Sequence, residues 1–154
     1  MKYVKKRQRY ESGRFAYNPL TRHCTSYDWW DISRVIGGTL VVNVHSYSPT
    51  TAHHVGKAWR ALKYPDDAVV IDVRPFSGKL DNKEEVIKAL SCQIAHLYRE
   101  ARRPKTHKAK NLERIKRANE LEVVRDRMLH LYALEELQAT QGEIEALNAL
   151  QKGE

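Results

Sequence analysis

The chain of 154 residues is 42% apolar and 30% charged, a composition that suits one globular core with an appendage and excludes fibrous, low-complexity and disulfide-stapled classes. No run approaches the roughly 20 apolar residues of a membrane span, the basic N-terminus lacks the apolar stretch of a secretory signal, and Cys24 and Cys92 stand in no metal or redox spacing, so a reduced, cytoplasmic setting is expected. The net charge of +8 is unevenly spread: residues 1–22 carry seven Lys/Arg against one Glu, 23–98 are neutral, 99–117 carry nine basic against two acidic side chains, and 118–154 carry three basic against eight acidic.

Residues 1–12 lack an apolar period and read as a flexible basic arm. A core domain is expected over 13–103. It begins with a short edge strand at Arg14–Tyr17, closed by the turn signal Asn18-Pro19. Residues 32–36 read as a strand that returns through Gly37-Gly38, a pair suited to the positive φ angles of a hairpin turn, into a strand over 39–46. In that second strand Leu40, Val42 and Val44 alternate with Val41, Asn43 and His45.

Ser48-Pro49 stops the strand and starts a helix over 49–63, with Ser48 capping the first turn and Pro49 where a missing N–H costs nothing. Ala52, Val55, Trp59 and Leu62 form its apolar stripe. After the turn at 64–67, the run AVVIDV over 68–73 suits an interior strand covered on both faces, and its pairing with the 39–46 strand is left open between parallel and antiparallel. Asp81 is expected to cap a second helix, with Glu84 completing a capping box and Cys92 beside an apolar face of Val86, Leu90, Ile94 and Leu97.

Pro104 ends that helix, and 104–110 reads as a basic linker. The C-terminal region, 111–154, lacks proline; Leu112, Ile115, Leu121, Val124, Met128, Leu131, Leu134 and Leu137 recur at threes and fours with a register slip after Ile115. Thr140-Gln141-Gly142 is expected to loosen the helix, so the region reads as a helical hairpin that either docks on the core or self-associates as a coiled coil. The fold class is therefore α+β (or α/β): a small three- to four-stranded sheet, two packed helices and a C-terminal helical extension.

Tyr47 to His54, YSPTTAHH, with Tyr17-Asn18-Pro19-Leu20 upstream, resembles an uncharacterised family of small bacteriophage and mobile-element proteins that carry the pattern Tyr-Ser-x-Thr-Thr-x-x-His. The resemblance covers residues 15–62, departs from the family in the segment holding Trp29-Trp30, and leaves the basic linker and C-terminal helices outside. It implies a phage setting, the host-cell cytoplasm, and a strand-to-helix layout. It implies no activity.

The strongest functional signal is basic. Lys5, Lys6, Arg7 and Arg9 on the arm, and Arg99, Arg102, Arg103, Lys105, Lys108, Lys110 and Arg114 on a helix-linker-helix stripe, are the side chains expected to neutralise nucleic-acid phosphates, RNA or DNA, with Tyr3, Tyr10 and Tyr98 placed to stack. Ser48, Thr50, Thr51 and His54 gather at a helix N-terminus, where an anion would be favoured. The alternative partner is an acidic host protein, bound through the C-terminal helices and an exposed Trp of the Trp29-Trp30 pair; homo-oligomerisation through 111–150 is a further expectation. A third reading is a metal-dependent nuclease or phosphoesterase using His54, His45 and Asp72, but no HExxH or paired-carboxylate pattern supports it. No cofactor, metal or catalytic residue is assigned.

Overall fold

Five strands lie side by side in chain order: β1 (Phe15–Asn18), β2 (His23–Ser26), β3 (Trp30–Ile36), β4 (Thr39–Asn43) and β5 (Val69–Ile71). The computed structural model describes residues 15–102 and 108–153. The arm at 1–12 and the linker residues 104–107 lie outside the described residues. β1 to β4 run antiparallel, and β5 pairs parallel to β4 after crossing over through α1 (Pro49–Ala61). Two further helices follow, α2 (Lys83–Ala101) and α3 (Lys108–Lys152). The architecture is α+β, with a five-stranded mixed sheet and a long C-terminal helix. No helix among the described residues is long and apolar enough to cross a membrane.

The strand absent from the sequence reading is β2. Its four residues, HCTS, sit between turns and show no apolar alternation; Cys24 and Ser26 nevertheless point into the core. Between β2 and β3 the register slips, so that Cys24 pairs with Ser33 but Thr25 pairs with Asp31. Ile32 is the extra residue of this bulge. It keeps Trp30 and Ile32 in the cluster beneath α1, with Leu40, Val42, Val55 and Ala58, while Asp31 and Arg34, three apart, share the opposite face.

Ser48 caps α1 as expected, accepting from the Thr51 amide at 3.2 Å. The expected interior strand over 68–73 is instead a three-residue edge strand with Val70 43% exposed. Its apolar run arises because Ile71 and Val73 face α2 and α3. Asn43 extends the parallel pairing beyond β5: its buried amide donates to the Val73 carbonyl at 2.9 Å and accepts from the Val73 amide at 3.1 Å. The cap of α2 is Asn82, one residue later than expected, and Cys92 is exposed rather than tucked beside the apolar face. With the cap at Asn82, the box expected of Asp81 and Glu84 is out of register, and the residue three beyond the cap is Glu85. Its carboxylate accepts from the Ser77 hydroxyl at 2.7 Å and the Ser77 amide at 2.8 Å.

The C-terminal region is one continuous helix rather than a hairpin. Gly142 sits within α3 with open space around it, and Thr140 bonds back to the Glu136 carbonyl at 3.0 Å. Residues 108–110, expected in the linker, form the first turn of α3. The apparent single stripe of the sequence divides between two faces: Ala118, Leu121, Met128 and Leu131 are buried against α2 and the sheet, whereas Leu112, Val123 and Leu137 point to solvent. Each large buried side chain contributes about 1.5–3 kcal/mol, which docks the middle of α3 firmly.

Three polar contacts set the docking. Tyr132 donates from its phenol to the Leu80 carbonyl, Glu135 accepts from the Gly37 amide at 3.1 Å, and Tyr98 on α2 donates to Asn119 on α3 at 2.8 Å. Burial pushes the Tyr132 phenol above its ordinary pKa range. The β3–β4 turn has Gly37 at φ +57° and Gly38 at φ +80°, both positive as a two-residue turn demands. A Cβ on Gly37 would collide with the Leu131 carbonyl of α3, whereas one on Gly38 would meet nothing.

Gly37→Ala should therefore cost about 1–3 kcal/mol more than Gly38→Ala, since both add strain at positive φ but only the first forces α3 off the turn; chemical denaturation of the two variants checks this, and equal losses would contradict it. The Ser77 bonds hold the Glu85 carboxyl below its ordinary value. Their contribution is present above the unfolded glutamate range and is lost as pH falls through the folded value. Glu85→Gln should flatten the acid limb of the stability–pH curve.

Candidate nucleic-acid interface

The antiparallel pairing of α2 and α3 brings the basic segment together. α2 ends at Ala101 and α3 begins at Lys108, so the two basic stretches meet at one end of the helix pair. Arg99, Arg102, Lys108, Lys110, Lys116 and Arg117 are exposed there, and Arg114 is half-buried, donating to Asn111 at 3.2 Å. Arg103 and Lys105, like Lys5, Lys6, Arg7 and Arg9 of the arm, lie outside the described residues. Glu100, Glu113 and Glu120 share this end, and Arg117 meets Glu120 at a loose 3.5 Å. The acidic tail does not fold back: with α3 unbroken, Glu143 stands about 39 Å along the helix from Arg117 at the usual rise per residue.

Beside the basic end is an open cavity of about 400 Å³, lined by His45, Asp72, Gln93, His96, Leu97, Arg117 and Leu121. It lies just beyond the carboxyl ends of β4 and β5, the only parallel pair among the described strands and the usual side for ligands in parallel sheets. His45 follows β4 and Asp72 follows β5, so the parallel register itself brings them together, with Nδ1 2.7 Å from Asp72 Oδ1. That contact makes Nδ1 the donor and leaves Nε2 as the ring nitrogen for a ligand. Gln93 Nε2 donates to the Asp72 carbonyl at 2.6 Å and steadies the edge strand. Arg117 and His96 thus present donors to one space with an apolar floor, and His45, its Nδ1 given to Asp72, adds a third from Nε2 when the ring carries both protons, an arrangement that suits an oxyanion. The expected proximity of His45 and Asp72 is realised. His96 and Gln93 were not singled out from the sequence, although with Leu97 they share one face of α2, and only the α2–α3 pairing brings Arg117 to them.

The cluster at the start of α1 is differently disposed. Ser48 is used as the cap, Thr51 is buried, and His54 is only 4% exposed. His54 Nδ1 lies 2.6 Å from Ser26 Oγ, and its ring packs between Phe15 and Tyr27 at 5.7 and 5.6 Å. His54 is thus a core histidine joining α1 to β2, and Ser48, Thr50, Thr51 and His54 do not form an open cradle. Of the tryptophan pair, Trp30 is buried and Trp29 is 42% exposed. Tyr98 is held by Asn119 and is not a free stacking platform. Among the described residues no group of three His, Cys, Asp or Glu side chains is placed to hold a metal ion.

A second polar centre is structural. Asp31 is fully buried, and its carboxylate accepts from His23 Nε2 at 2.6 Å, the Leu80 amide at 2.8 Å and Arg34 Nε at 3.3 Å. It ties β2, β3 and the loop before α2 to one anion. Comparison of the chain with protein-family models, with curated proteins and with solved structures returns no match. Asp31→Ala should lower stability by about 1–3 kcal/mol, because it leaves the buried Leu80 amide without its acceptor and takes a partner from the half-buried Arg34, and denaturant titration measures that loss; no loss at all would show that water replaces the carboxylate.

Proposed function

We propose that the protein is a non-enzymatic, phage-type accessory factor that binds nucleic acid through the basic end of the α2–α3 pair, with the adjoining cavity as a seat for one phosphate. The observation that carries this reading is the gathering, among the described residues, of seven of the nine basic side chains between Arg99 and Arg117 at one end of the helix pair while the acidic half of α3 points away. Lys and Arg at such an end neutralise phosphates without reading sequence. Arg117 and His96 around the cavity supply donors for a phosphate oxygen, and Asp72 orients the His45 ring so that its imidazolium form can add a third from Nε2. The phage setting rests on the Tyr47–His54 resemblance.

Fluorescence anisotropy with labelled single- and double-stranded oligonucleotides tests the proposal. With about five phosphates engaged, log K should fall against log salt with a slope of roughly −4 to −5, and each of Arg99→Ala, Arg102→Ala, Lys108→Ala and Lys110→Ala should reduce that slope by about one. A slope near zero, or variants that bind as tightly as the parent, would contradict it.

A further inference from the structure

We infer that the solvent face of α3 is a self-association surface that pairs two copies of the chain antiparallel. Leu112, Val123, Leu137 and Ile144 are 67%, 69%, 66% and 53% exposed, and Ile115 is 39% exposed. At about 100° per residue these five fall within an arc of about 80°, on the side of α3 turned away from Leu121, Met128 and Leu131. A single exposed leucine is ordinary, but a stripe running about 48 Å along one helix marks an interaction face. The distal part strengthens the case. Every residue from Glu136 to Gly153 is exposed, so about 27 Å of helix extends past the body bearing four large apolar side chains.

The stripe is its own complement about His130. Val123 and Leu137 stand seven residues to either side, so each meets the other across a two-fold axis, and Ile115 falls between the partner's Ile144 and the partner's Leu147. Charge selects the direction. Residues 108–117 hold five basic side chains and one acidic, and residues 135–152 hold four acidic and one basic. Antiparallel packing lays opposite signs together, with Lys116 against the partner's Glu145 twice by symmetry, whereas parallel packing would stack like on like. The stripe faces away from Leu121, Met128 and Leu131, so the two bodies then sit on outer sides of the helix pair. Arg117 lies on the flank towards α2, beside the cavity, and stays clear of the seam. Asp126 and His130 interrupt the apolar seam, a pattern that weakens a coiled coil while fixing one register.

Cysteine cross-linking of the full chain in a Cys92→Ser background tests this, since Cys24 is buried. His130→Cys should link to itself under mild oxidation, Ile144→Cys should not, and a mixture of Ile115→Cys with Ile144→Cys should form the mixed dimer. Light scattering should give twice 17.9 kDa for the parent. Val123→Glu with Leu137→Glu should give a monomer with unchanged circular dichroism, because neither side chain is in the core. A parent that is monomeric at tens of micromolar, or an Ile144→Cys self-link with His130→Cys silent, would overturn the inference.

Discussion

The middle of α3 presses at once on the β3–β4 turn and on α2, and the remaining layout depends on that seat. The carbonyl of Leu131 comes so near Gly37 that no other side chain fits, and Glu135 accepts from the same glycine amide. Leu121, Met128 and Leu131 share one core with Val86, Leu90 and Ile94 of α2 and with Ile36, Val41 and Ile71 of the sheet. With α1 covering the other face, the sheet is sealed on both sides by elements that are distant in sequence. The bulge at Ile32 serves the same end, placing Asp31 where it can bind the loop that leads into α2.

Because the seat fixes the middle of α3 and the helix has no break, its two ends are held apart. The basic end must lie against the end of α2, next to the carboxyl edge of β4 and β5, and the acidic end must project. Opposite charges in one chain would otherwise attract and neutralise each other. Here about 39 Å of helix separates Arg117 from Glu143, several Debye lengths at physiological salt. In that dimer Lys116 is taken by the partner's Glu145, whereas Arg99 and Arg102 at the end of α2 and Lys110 and Arg117 on the inner flank of α3 stay clear of the seam, so a polyanion and a second copy engage different side chains.

Much of the fold was legible because it is local. Ser48-Pro49 signals its cap, Gly37-Gly38 its turn, and the α2 stripe its buried face. What could not be read depends on partners remote in sequence. β2 is four residues whose strand character comes from pairing on both sides, and β5 looks central by composition but lies at an edge. In α3 the slip after Ile115 is the change from an outward stripe to an inward one, which no single-helix pattern distinguishes from an irregular heptad. The basic segment was visible as charge; its convergence was not, because it depends on how α2 and α3 pack against each other. His45 and Asp72 could be paired from the strand order, but His96 and Arg117 join them only through tertiary packing. His54, grouped with Ser48 by adjacency, turns inward to Ser26 because its helical phase matches Thr51 and Val55.

The most direct test of the central claim is a residue-resolved titration of the intact protein with a short oligonucleotide, followed by amide and imidazole NMR shifts at low salt. The account predicts shifts concentrated in residues 96–102 and 108–117 and at the His45 and His96 rings, with 137–150 unmoved. Shifts confined to the distal half of α3, or none at all, would contradict it.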